Sequence, residues 1–160
     1  MITRRALDRA ERRHGGPARA GDPSAYMGAA TWVGAPPERV FGLLTDWPRH
    51  REWMVLTSAR LAGEGRVEAF TGVGPFSFLD TMTITRWEPP RLVRVRHTGR
   101  LVRGEGVFRV EPHQGGSRVI WAERLELPFG PLGRALWPLA RPIAGALARH
   151  SLRRLARLLS

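Results

Sequence analysis

From position 25 to about 127, apolar and polar residues alternate with a period of two, in short runs broken by glycine and proline. That is the pattern of antiparallel strands joined by tight turns. The first run sets Tyr26, Gly28, Ala30 and Trp32 against Met27, Ala29, Thr31 and Val33. The alternation then stops. Pro36 and Pro37 suit a helix start with Val40, Phe41 and Leu44 on its apolar side, and Asp46 is placed to cap a second short helix beginning near Trp47. Six further strands are predicted over residues 56–62, 66–71, 76–87, 91–98, 101–111 and 117–127, with Gly63, Gly65, Gly72, Gly74, Gly115 and Gly116 among the turns.

The last stretch changes period. From Pro142 to Leu159, a 3.6-residue repeat puts Ile143, Ala144, Leu147, Ala148 and Ser151 on one broad side with Leu152, Leu155, Leu158 and Leu159. Arg149, His150, Arg153 and Arg157 fall on the other side. This predicts a long amphipathic helix that starts at Pro142, because the prolines and glycines from Pro128 onwards read as breakers. A lone antiparallel sheet with an apolar face needs a cover. The expected fold is therefore α+β: a curved seven-stranded antiparallel sheet wrapped around the long C-terminal helix, with two short helices after the first strand. Gly104 and Gly106 fit a strand that bends sharply. Small residues on the helix (Ala144, Ala148, Ser151) allow either close approach to the sheet or a void beneath it.

Composition agrees with one folded domain. The chain has 160 residues, 42% of them hydrophobic, enough for a single core. Residues 24–160 are assigned to that domain, and residues 1–23, rich in Arg, Gly and Pro, to a mobile extension. The absence of cysteine excludes disulfides, thiolate metal sites and cysteine nucleophiles. No apolar run of signal-peptide length opens the sequence and none spans a membrane, so a cytoplasmic location is expected. The formal charge of +12 is carried unevenly: residues 1–20 contribute +4 and residues 127–160 contribute +6, with no acid in the latter. A basic groove interleaved with aromatics is missing, so nucleic acid is not an expected partner. The cationic helix face (Arg149, Arg153, Arg154, Arg157) is either a solvated face or a seat for an anionic membrane surface.

The run ATWVGAPPERVFGLLTDWPRHREWM, the later DTMTITRWEPPRLVRVRH and the closing helix together resemble the START-like, helix-grip or SRPBCC superfamily, over about residues 25–159. Similar proteins include plant allergens that carry small hydrophobic ligands, lipid-transfer domains, and bacterial polyketide cyclases and aromatases. The resemblance implies an elongated cavity between the concave sheet and the terminal helix. Members differ in chemistry, so function has to be argued from side chains.

Alternation assigns the inward side chains. They are Phe78, Asp80, Met82 and Ile84 on one strand, and Val93, Val95 and His97 on the next. Val102, Gly104, Gly106, Phe108 and Val110 follow, then Val119, Trp121, Glu123 and Leu125. Asp80, His97 and Glu123 are the ionisable residues inside. An imidazole between two carboxylates is either an oriented acid–base group or a hydrogen-bonded structural network. Ligand contacts are expected from Trp32, Phe78, Met82, Ile84 and Val95, and from Phe108, Trp121, Leu147 and Ser151, although aromatic inward residues also serve as plain core. Histidine spacing offers no metal motif, Gly104–Gly106 lacks the helix a phosphate loop requires, and no serine stands in a nucleophile context, so neither metal nor cofactor is expected. Three functions remain open. They are binding or transport of a small hydrophobic or amphipathic molecule (a lipid, polyketide or isoprenoid-like compound), polyketide cyclase, aromatase or dehydratase chemistry in the same cavity, and lipid handling at a membrane surface.

Overall fold

The computed structural model describes residues 25–160; the extension assigned to residues 1–23 lies outside them. Strand β1 (Ala25–Val33) leads into helix α1 (Pro37–Thr45), then a 3-10 turn (Trp47–Arg49) that continues as α2 (His50–Trp53). Strands β2 (Thr57–Leu61), β3 (Arg66–Thr71), β4 (Phe78–Glu88), β5 (Leu92–Thr98), β6 (Arg103–His113) and β7 (Gly116–Glu126) follow, and α3 (Gly130–Leu158) closes the chain. Pro37 occupies the first turn of α1, where its missing N–H costs nothing. Asp46 stands before the 3-10 turn as expected, yet its side chain makes no capping hydrogen bond.

All seven strands form one antiparallel sheet in the order β1-β7-β6-β5-β4-β3-β2, with β1 and β2 at the edges. Two devices bend it. The pairing of β4 with β5 shifts register between Ile84 and Arg86, and Gly104 adopts φ +125°, where a Cβ would run into the Arg124 carbonyl. The concave face holds Val93, Val95, Phe108, Val110 and Val119, which pack against Leu152 and Leu155 of α3 and Val40 and Leu44 of α1. Trp53 is wholly buried, with its ring edge-on to Phe108 at 6.0 Å.

The terminal helix departs from expectation at its start. It begins at Gly130, not Pro142, and carries Pro138 and Pro142 inside it. Those prolines remove the N–H donors for the carbonyls of Arg134 and Pro138, but both residues are exposed, so water can satisfy the freed acceptors. The packed stripe is also narrower than the sequence pattern implies. Gly145, Ala148, Ser151, Leu152 and Leu155 are buried, while Ile143, Leu147 and Leu158 are exposed. Two polar clips fix the second half: the Val55 N–H donates to Ser151 Oγ at 3.0 Å, and Arg154 donates to the Glu52 carbonyl at 2.9 Å. Nothing between residues 130 and 144 is buried.

Candidate functional site

Asp80, His97 and Glu123 come from three different strands and meet. His97 Nδ1 lies 2.8 Å from Asp80 Oδ2, and Nε2 lies 3.0 Å from Glu123 Oε2. In the sheet, His97 on β5 and Glu123 on β7 are separated by the whole of β6. Neighbouring strands sit about 4.8 Å apart, so the two backbones are roughly 10 Å apart. The side chains join only because β6 presents glycine beneath them: Gly104 is opposite His97 and Gly106 is opposite Glu123. A Cβ on Gly106 would stand 2.8 Å from Glu123 Oε2 and 2.9 Å from Oε1. The role of Gly106 is thus to let a carboxylate cross a strand.

The remaining carboxylate oxygens differ. Glu123 Oε1 accepts from Trp121 Nε1 at 2.6 Å, whereas Asp80 Oδ1 is buried with no hydrogen-bond partner among the described residues. Burial by itself would push the His97 pKa down. The charge of Glu123 and the hydrogen bonds to Asp80 and Glu123 more than reverse that, and hold it up at about 10. At neutral pH His97 is therefore an imidazolium that donates both ring N–H groups to carboxylates. Neither ring nitrogen is left to accept a proton, which removes His97 as a general base. The trio carries one net negative charge and ties β4, β5 and β7 together.

The other predicted contacts divide. Met82 and Ile84 are half-buried on the concave face, and Trp121 is half-buried with its ring 5.2 Å from Phe108. Phe78 is half-buried at the start of β4, while Val95 and Phe108 belong to the core. Ser151 is committed to Val55, and Leu147 is exposed. Trp32 is a correction: its partner across β1 and β7 is Arg118, so it lies on the outer face, 51% exposed, with Nε1 donating to the His113 carbonyl at 3.2 Å. Met27, opposite Glu123, takes its place as a concave, half-buried contact.

Sequence reading did not single out His50. It is buried between Trp47 and Trp53, and its Nε2–H donates to the Leu44 carbonyl at 2.8 Å. Burial lowers its pKa to about 4, so it is neutral. An HREW run between two tryptophans gave no signal for this, because the partner is a backbone carbonyl.

A separate cleft of about 570 Å³ lies over the ends of β5, β6 and β7. The side chains of Arg96, Glu105 and Arg124 that line it point away from α3, and Arg96 pairs with Glu105 at 3.2 Å. It is polar, and His97 and Gly104 also line it, so it borders the trio from the outer side of the sheet. Among the described residues, no group of three or more His, Asp or Glu side chains is arranged to hold a metal ion.

The family model described as polyketide cyclase / dehydrase and lipid transport matches residues 29–160. A protein from Thermus thermophilus superposes with a TM-score of 0.70 at 21% identity, over 83% of this chain and 95% of that one. One from Deinococcus radiodurans gives 0.65 at 16% identity, over 83% and 95%. A polyketide-cyclase-like protein from Corynebacterium glutamicum gives 0.60 at 16% identity, over 85% and 91%. No curated protein sequence matches the chain.

Proposed function

Since the chain belongs to the polyketide cyclase / dehydrase and lipid transport family, we propose that it binds a small, largely apolar molecule against the concave face of its sheet. One observation carries this reading: among the described residues, the ionisable side chains of that face gather into one carboxylate–imidazolium–carboxylate trio, bordered by half-buried Met27, Met82, Ile84 and Trp121. Partly exposed apolar side chains around a few fixed polar atoms are the usual make-up of a small-molecule site. Apolar burial would supply affinity, at about 25 cal/mol per Å² before the costs of association. The trio would orient a polar end of the ligand through its negative charge.

Cyclase or dehydratase chemistry in the same place needs a group that takes a proton from carbon; His97 with both nitrogens donating is unsuited to that, and the one carboxylate oxygen of the trio without a partner among the described residues, Asp80 Oδ1, is buried. Binding without conversion is thus the better supported reading. The test is native mass spectrometry of the purified protein beside mass spectrometry of its organic extract. A stoichiometric apolar compound, released unchanged and reduced in occupancy by Met82→Glu, is the expected result. A protein that carries nothing, and also fails to enhance the fluorescence of an apolar probe, would overturn it. Conversion of the extracted compound on incubation, lost in His97→Ala, would favour the enzyme.

A further inference from the structure

The first half of α3 carries a second stripe, which the described fold leaves uncovered. At about 100° per residue, Leu132, Leu136, Leu139 and Ile143 fall in one narrow arc. They are 60%, 51%, 71% and 63% exposed, and turned away from the side that carries Ala148, Leu152 and Leu155 into the core. Further along, the same side of the helix presents His150, Arg153 and Arg157, all exposed. One outer face is therefore apolar over its first half and cationic over its second. No acid occurs anywhere from residue 127 to residue 160.

Further exposed apolar residues lie at the margin where α3 starts. The β3–β4, β5–β6 and β7–α3 connections all leave the same margin of the sheet. Their tips carry Phe76, 88% exposed, Leu101 and Phe129. Scattered single apolar residues on a surface need no explanation, but a four-residue exposed helical stripe at the same end of the sheet as three exposed apolar loop residues does.

We propose that the outer face of α3, with these loop tips, seats on an anionic lipid bilayer. The apolar half would sink to the level of the acyl-chain boundary and Arg153 and Arg157 would lie among the phosphates. Charge complementarity selects this occupant. A second copy docked along the whole face would set cationic half against cationic half if the helices ran parallel, and apolar half against cationic half if they ran antiparallel, and residues 1–20 carry six Arg against two acids, the same sign as the cationic half. Among the described residues no helix is long and apolar enough to cross a membrane, which fits seating in the interface. The inference does not depend on ligand carriage, since vesicle binding is read whether or not a ligand is held.

The experiment is co-sedimentation of the full chain with vesicles of phosphatidylcholine alone, and with vesicles containing about 30% phosphatidylserine, at low and high salt. Binding should require the anionic lipid and fall about tenfold as salt screens it. Leu139→Glu with Ile143→Glu should abolish it, and Arg153→Glu with Arg157→Glu should weaken it at least about tenfold. Phe76→Ser should weaken it while leaving the fold's thermal midpoint unchanged. No binding to anionic vesicles at low salt would overturn the proposal. So would two other results: a dimer in light scattering that Leu139→Glu dissociates, or a large drop in thermal midpoint for Leu139→Glu without lipid, which would mean that the chain's own residues cover the stripe.

Discussion

Raising the pH from 7 to 9 should destabilise this protein, and His97 should be the reason. In the unfolded chain its pKa returns to the ordinary imidazole value of 6.5, while in the fold Glu123 and Asp80 hold it at about 10. Between those values the unfolded state has released a proton that the native state still binds. Stability therefore falls as pH rises, by about 1.4 kcal/mol per pH unit. The contribution is complete below pH 6.5 and gone above about 10; over the whole interval it is on the order of 5 kcal/mol. Over pH 7 to 9 the loss should be about 2–3 kcal/mol, readable from urea unfolding midpoints at constant ionic strength. His50 is neutral in both states across this range and does not interfere. In His97→Gln the slope should vanish, although the variant will be less stable because two buried carboxylates lose their donor. The ring itself can be watched by 15N NMR, where both nitrogens should read as protonated at pH 8. A flat or rising stability profile from pH 7 to 9, or a neutral ring at pH 8, would refute the account of the trio.

On the acid side the sign reverses through His50: below pH 6.5 the unfolded imidazole takes a proton that the buried one refuses until about 4, so stability should fall as pH drops, by roughly 3 kcal/mol in all, and His50→Phe should flatten that limb of an unfolding series. Gly106→Ala should push the Glu123 carboxylate off His97, costing roughly 2–4 kcal/mol and shrinking the pH 7–9 slope. A chemically unfolded series that shows the stability loss with an unchanged slope would mean the carboxylate had adapted. Leu152→Ala, at a site with 0% exposure, should cost about 3–5 kcal/mol. Leu139→Ala, in the exposed stripe, should stay within about 0.5 kcal/mol in the absence of lipid; comparable losses for the two would show that the first half of α3 is packed.

Much of the fold was legible because strand alternation is a two-fold signal with strong contrast in β4 to β7. Val93, Val95 and His97 against Arg94 and Arg96 leave one choice of face, and the same choice in β4 and β7 delivered Asp80 and Glu123 to it. Strand β1 lacks that contrast. Small residues occupy both of its faces, and the large Trp32 drew the eye inward until pairing with Arg118 placed it outside. The start of α3 was hidden for another reason: Pro138 and Pro142 each remove a donor and crowd the carbonyl four residues back, a cost that falls where that carbonyl can turn to water, and solvent access is a tertiary fact. Gly106 was visible as a glycine in a strand, but its purpose depends on a carboxylate two positions deep in a different strand, and no local pattern carries that.

Followed along each strand towards the margin where α3 begins, the inward positions change in the same direction. Strand β5 passes from Val93 and Val95 to His97, and β7 from Val119 through Trp121 to Glu123. Strand β6 passes from Val110 and Phe108 to Gly106 and Gly104, and β4, read backwards, from Ile84 and Met82 to Asp80. The helix changes with them, from buried Leu155 and Leu152 to Gly145 and then to a first half with nothing buried. Five elements switching together argue for one division of the molecule. At the end capped by α1, sheet and helix fill each other with aliphatic side chains, and that packing carries the stability. Towards the other margin the sheet offers glycines and an ion network that pairs both His97 nitrogens and both Glu123 oxygens within the sheet and leaves Asp80 Oδ1 without a partner among the described residues. Local opening costs least where few apolar contacts must be broken. Opening the first half of α3 should therefore cost less than opening the half that carries Leu152 and Leu155.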